Sequence, residues 1–139
     1  MDTTFFVAFL SYALAALLSM AFGVIYLVRS QCMPYHQDAL CLSWQQLDQH
    51  LHVVSIRLMR AAGGGLLATG ISTAVLALIA FRVGEPWAQY AIPAIGLVAA
   101  LPSLYATILM RCRTLAHTAV AASAMAVGLL VLGFIFSLV

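Results

Sequence analysis

The chain alternates between long apolar runs and short polar breaks. Apolar stretches occupy residues 4–28, 61–81, 87–110 and 115–138, and Arg29, Arg82 and Arg111 close the first three. A helix needs about 20 apolar residues to cross roughly 30 Å of hydrocarbon, so each run predicts a transmembrane helix. Gly84, Glu85 and Pro86 leave room only for a tight turn between the second and third runs. Arg111, Cys112 and Arg113 make the next connection almost as short. Short connections join antiparallel neighbours. The pattern predicts an all-α integral membrane protein: a single domain over residues 1–139, folded as an up-down bundle of four transmembrane helices.

The first connection is different, because residues 30–60 are too many for a turn. Met33, Pro34 and Tyr35 break the first helix. Ser43 then reads as an N-cap, with Gln46 three residues later as in a capping box. Trp44, Leu47, Leu51, Val54 and Leu58 recur at spacings of three and four, and Gln46, Gln49, His50, Arg57 and Arg60 fall opposite them. This periodicity predicts an amphipathic helix over about 43–60. With no breaker before Arg60, it is expected to run on into the second span or to bend only near Gly63, Gly64 and Gly65.

Composition agrees with a bilayer as solvent. Hydrophobic residues make up 65% of the chain and charged ones 7%, against about 25% charged in a soluble domain. A net charge of +2 provides no basic stripe for nucleic acid. The first run exceeds a signal-peptide core and no positive charge precedes it, so it is read as a retained span. Arg29, Arg57, Arg60, Arg111 and Arg113 lie on the side of the first and third connections, and only Arg82 lies on the other. The positive-inside rule therefore puts residues 30–60 and 111–113 in the cytoplasm and both termini outside.

Small residues mark helix interfaces in lipid, where close van der Waals approach drives association. The second span carries Ala61, Gly65, Thr69 and Thr73 in one row, and Gly64, Ala68 and Ser72 in another. These residues are the expected packing surface, within the subunit or between subunits. Pro93 and Pro102 each remove a backbone donor from the third span, with Ser103 and Tyr105 just after the second.

The chemistry-bearing side chains gather in the first connection. His36, Asp38, Asp48, His50 and His52, flanked by Cys32 and Cys41, are all metal-ligand types. Their spacing argues against a preformed site: His50 and His52 are about 200° apart around a helix, whereas two ligands on one face sit four residues apart. A metal centre would need His36 and Asp38 to join one of them. For haem, only His52 and His117 lie near enough to the spans. Cys32 and Cys41 are nine residues apart, not the close pair of a redox motif. No acid lies in the middle of any span. The small multidrug resistance family is similar in size and helix count, but its membrane-embedded glutamate has no counterpart here. No catalytic set emerges. Arg57 and Arg60, three apart on one face, together with Trp44, are candidates for binding lipid headgroups or a partner's carboxylates.

R-S-x-x-M-P-Y-H-x-x-A-L-x-x-S-W-x-x-L from residue 29, L-M-R-A-A-G-G-G-L-L-A-T-G at 58–70, F-R-x-G-E-x-W-A at 81–88 and L-P-S-L-Y-A-T at 101–107 together resemble small four-helix bacterial inner-membrane proteins of unassigned function, comparable to the DoxX-like four-helix proteins. The resemblance implies four spans and a bacterial source, and brings no catalytic residues. It also implies that Pro34, Tyr35, His36, Trp44, Arg60 and the glycine run form one recurrent site or packing motif. The leading expectation is an accessory or scaffold subunit that packs against a partner membrane protein or itself. A binder or carrier of a lipid, quinone or other apolar molecule is the alternative. A membrane enzyme or metal or haem protein built on His36, His50 and His52 comes third.

Overall fold

The computed structural model describes residues 3–31, 34, 37, 45, 48–113 and 120–139. Four helices account for nearly all of them: α1 Thr3–Val28, α2 Gln49–Leu76 continuing through a π-helical turn Ala77–Phe81, α3 Ala88–Arg113 and α4 Val120–Ser137. Among the described residues there is no β-strand. All four are long and apolar enough to span a membrane. The protein is a four-helix bundle of the multi-pass membrane type.

The outer surface supports the same conclusion. Only 28, 28, 17 and 11% of the most apolar windows of α1, α2, α3 and α4 is buried within the chain. Leu17, Ile79, Val98 and Leu132 are among many large apolar side chains that face outward. A soluble monomer does not expose apolar surface on this scale, and lipid covers it at no cost.

Helix α2 begins later than the capping-box spacing predicts. Its N-cap is Asp48, whose carboxylate accepts from the His50 backbone N–H at 3.3 Å. Ser43 lies outside the described residues. Asp and Ser are near-equal caps, so composition does not choose between them. From Gln49 to Phe81 the helix is unbroken across 33 residues. That is about 50 Å at 1.5 Å per residue, longer than the hydrocarbon core, so the first turns stand beyond the membrane as an extension of the span.

At the other end α2 closes in a Schellman arrangement. The Gly84 N–H donates to the Phe81 carbonyl and the Glu85 N–H to the Ala80 carbonyl, both at 3.0 Å. Gly84 sits at φ +86°, which an L side chain adopts only at a cost. Pro86 then prevents the helix from resuming. Replacing Gly84 by alanine is expected to lower stability by about 1–2 kcal/mol, read as the shift in unfolding midpoint in detergent.

Helix α1 packs along α2 and also against α4, α4 packs against α3, and the α3–α2 seam is the sparsest. The α1–α2 pairing is set by glycines. A Cβ built on Gly23 would lie 2.7 Å from the Leu67 backbone nitrogen and 2.9 Å from the Gly63 carbonyl oxygen. One on Gly63 would meet Tyr26 Cβ at 2.8 Å, and one on Gly70 the Ala16 carbonyl oxygen at 2.9 Å. The backbones touch there, as small-residue packing in lipid requires.

The dense core lies toward the Gly84 turn and the two termini. Tyr12 and Ile92 are fully buried there with Ala8, Ala77, Phe81, Ala88 and Leu130. Phe81 stacks on Phe5 at 4.9 Å and meets Tyr12 edge-on at 5.4 Å. The π-helical turn turns Ala77, Ala80 and Phe81 all inward. Both prolines are accommodated inside a continuous α3.

Candidate functional site

Away from this core, in the half of the bundle toward the arginine-rich end, the four helices leave a cavity of about 360 Å³. Leu18, Ser19, Phe22 and Tyr26 line it from α1, and Ala62, Gly65 and Leu66 from α2. From α3 come Gly96, Ala99, Ala100, Ser103 and Thr107, and from α4 Ala122, Ser123 and Ala126. The cause is local composition. On α3 and α4 every lining residue is Gly, Ala, Ser or Thr, so neither helix sends a large side chain inward at this level. Leu130 packs against Gly96: a Cβ on Gly96 would lie 2.6 Å from a Leu130 methyl, so the leucine fills the notch that the glycine leaves.

The walls are apolar apart from the hydroxyls of Ser19, Tyr26, Ser103, Thr107 and Ser123. The Thr107 hydroxyl donates to the Leu104 carbonyl at 2.9 Å within its own helix, a common way to satisfy a hydroxyl in lipid. Among the described residues, no acid, histidine, cysteine or arginine lines the cavity. The arrangement offers an apolar slot with a few hydrogen-bonding groups, within the size range of roughly 300–1,000 Å³ typical of ligand pockets.

The residues singled out from the sequence fall elsewhere. Gly64 and Gly65 are not the close-packed glycines of the subunit: a Cβ on either would have nothing within 4 Å. Gly64 is at the outer surface with exposed Ala68 and Ser72, while Gly65 lines the cavity. Thr69 is half-buried and its hydroxyl returns to the Gly65 carbonyl at 2.9 Å. Three consecutive glycines point in three directions about 100° apart, and the one turned to α1 is Gly63. A seven-residue spacing to Gly70, opposite Gly23 and Ala16 of α1, was the signal for it.

Arg57 and Arg60 are exposed and share the outward side of α2 with Gly64 and Ala68 at 100° per residue. His50 and His52 sit in the first turn of α2. Among the described residues, no three His, Cys, Asp or Glu side chains gather closely enough to hold a metal ion. Trp44, His36, Asp38, Cys32 and Cys41 lie outside the described residues, as does His117. Ser103 lines the cavity, whereas Tyr105 faces outward. The cavity itself was missed, since its small residues are spread over four helices with no spacing rule to connect them.

Comparison with protein-family models, with curated proteins and with solved structures finds no match to this chain. The site's own chemistry therefore carries the functional argument.

Proposed function

We propose that this protein is a binder of an apolar chain, a lipid tail or an isoprenoid such as that of a quinone, held in the slot between its four helices. The observation that carries the reading is the 360 Å³ cavity with its apolar walls and scattered hydroxyls. At about 30 Å³ for each water-sized group, it accommodates roughly a dozen methylenes, the scale of one acyl chain. In this reading the host membrane is a bacterial inner membrane, with the arginine-rich end in the cytoplasm and both termini outside.

Native mass spectrometry of the protein extracted in mild detergent tests the reading. The wild-type chain is expected to carry an extra apolar mass. A variant with Ser103→Leu and Ala126→Leu, which fills the slot, is expected to lose that mass while its unfolding midpoint holds or rises. Equal retention by both proteins, or no bound mass in the wild type, would contradict the reading.

The orientation has its own test. With Cys32→Ser and Cys41→Ser, Cys112 is the remaining thiol, and it is free and exposed. A membrane-impermeant maleimide added to intact spheroplasts should leave it unlabelled until the membrane is permeabilised. Immediate labelling would reverse the orientation.

A second reading, an accessory or scaffold subunit that packs against a partner membrane protein or another copy, has one observation in its favour. Gly64 faces open space on the outer surface beside exposed Ala68 and Ser72, so a neighbouring helix can approach α2 closely. Under this reading Gly64→Leu dissociates the assembly seen by size-exclusion chromatography with light scattering. An unchanged mass would remove the reading.

A further inference from the structure

Resting on the reading of the cavity as a chain-binding slot, we propose that the slot selects its ligand by length: it takes one acyl chain of roughly a dozen carbons, and Leu130 sets that limit. The slot is blind toward the core. Its innermost wall residues are Leu18 on α1, Leu66 on α2, Gly96 on α3 and Ala126 on α4. One turn further toward the Gly84 end, each helix brings a buried position: Ala15, Gly70, Ile92 and Leu130. Ala15, Ile92 and Leu130 belong to the dense core. At Gly70 the space is taken by Met20, whose Cγ would lie 2.6 Å from an added Cβ. A tail that reaches this layer can go no deeper.

Depth and volume agree on the size of the chain. From Gly96 to Thr107 the α3 wall runs about 16 Å along the axis. A zigzag of roughly a dozen carbon–carbon bonds, each about 1.5 Å, reaches nearly as far. The cavity of about 360 Å³ holds a similar number of methylenes at about 30 Å³ each. A long polyprenoid exceeds both. A polar head does not follow its tail inward, because burying it in hydrocarbon without partners is costly. The tail therefore starts at the membrane surface, and its methyl end meets the packed layer. Within that layer Leu130 is the side chain seen against the wall itself: a Cβ on Gly96 would lie 2.6 and 2.7 Å from its two methyl carbons. Truncating it lengthens the slot.

The experiment uses the full-length protein in a steroid-based detergent, which has no alkyl tail to compete. An equimolar mixture of decanoate, laurate, myristate, palmitate and stearate is added, and retention is read by native mass spectrometry. The head is the same throughout, so only tail length is compared. The wild type is expected to retain laurate best and stearate least, each methylene without room costing up to about fourfold. Leu130→Ala should move the optimum to myristate or palmitate. Ala126→Val narrows the same end without opening the core and should move it to decanoate; it decides the question if Leu130→Ala does not fold. A long-tailed polyprenyl quinone should not displace laurate from the wild type. An optimum unmoved by Ala126→Val, or by a folded Leu130→Ala, overturns the placing of the limit at this layer. Equal retention of all the carboxylates, or displacement of laurate by the quinone, overturns selection by length. No retention of any carboxylate by the wild type overturns the slot reading as well.

Discussion

Leucine in place of Gly70 is expected to separate α1 from α2 and to cause the largest loss of stability of any single change to the bundle's surface of contact. Even the first added carbon would lie 2.9 Å from both the Ala16 carbonyl oxygen and the Met20 backbone nitrogen. Backbone cannot swing aside as a side chain can, so the helices must move apart. Overpacking costs about 1–3 kcal/mol when side chains can shift, and this site belongs at or above the top of that range. Gly63→Leu should behave in the same way, for its Cβ would lie 2.9 Å from the Gly23 carbonyl oxygen. Gly64→Leu is the informative partner. With nothing within 4 Å and a better helix former installed, it should keep or gain stability, by up to about 1 kcal/mol. Thermal unfolding of the three variants in one detergent checks the order. Equal losses at Gly63, Gly64 and Gly70 would mean that α1 does not contact the face described here.

Tyr12→Ala is expected to be comparably damaging for the opposite reason, loss of contact. Tyr12 is 0% exposed and its ring meets Phe81 edge-on. The same ring fills the notch at Gly133, where a Cβ would come within 2.6 Å of it. Removing a buried aromatic ring costs about 3–5 kcal/mol. Its hydroxyl tells a different story. It is buried without a hydrogen bond of good geometry, and the Ser137 hydroxyl beside it gives its own proton to the Phe134 carbonyl at 2.7 Å. Tyr12→Phe removes that unsatisfied group and is expected to leave the unfolding midpoint unchanged or raised. A loss as large as that of Tyr12→Ala would mean that the hydroxyl, not the ring, anchors the core.

The four spans were legible because a bilayer imposes one dominant rule, a run of about 20 apolar residues, and each span obeys it. The Gly84 turn was legible for a local reason, since glycine followed closely by proline is the signature of a helix stop. The continuous second helix could be anticipated from the unbroken periodicity up to Arg60. The capping-box spacing puts its start at Ser43, whereas the observed cap is Asp48, a residue type that caps as well as serine.

Helix faces were harder to read. In an apolar span the polar stripe that normally separates inside from outside is missing, so Gly63, Gly64 and Gly65 look equivalent. What distinguishes Gly63 is the shape of α1 around Gly23, a property of two helices at once. The cavity is harder still. Ala99, Ser103, Ser123 and Ala126 are ordinary residues for a membrane helix, and only the distance between helices turns them into the walls of a slot.

Photo-crosslinking with an amphiphile that carries a diazirine in its tail tests the central claim most directly, because it reports where the tail resides. If a chain occupies the slot, digestion and mass spectrometry will recover label on Phe22, Leu66 and Ala126, from three different helices, and Ser103→Leu with Ala126→Leu will suppress it. Label confined to outward residues such as Ile79, Val98 and Leu132, and insensitive to that double variant, would mean that the molecule meets lipid only as solvent.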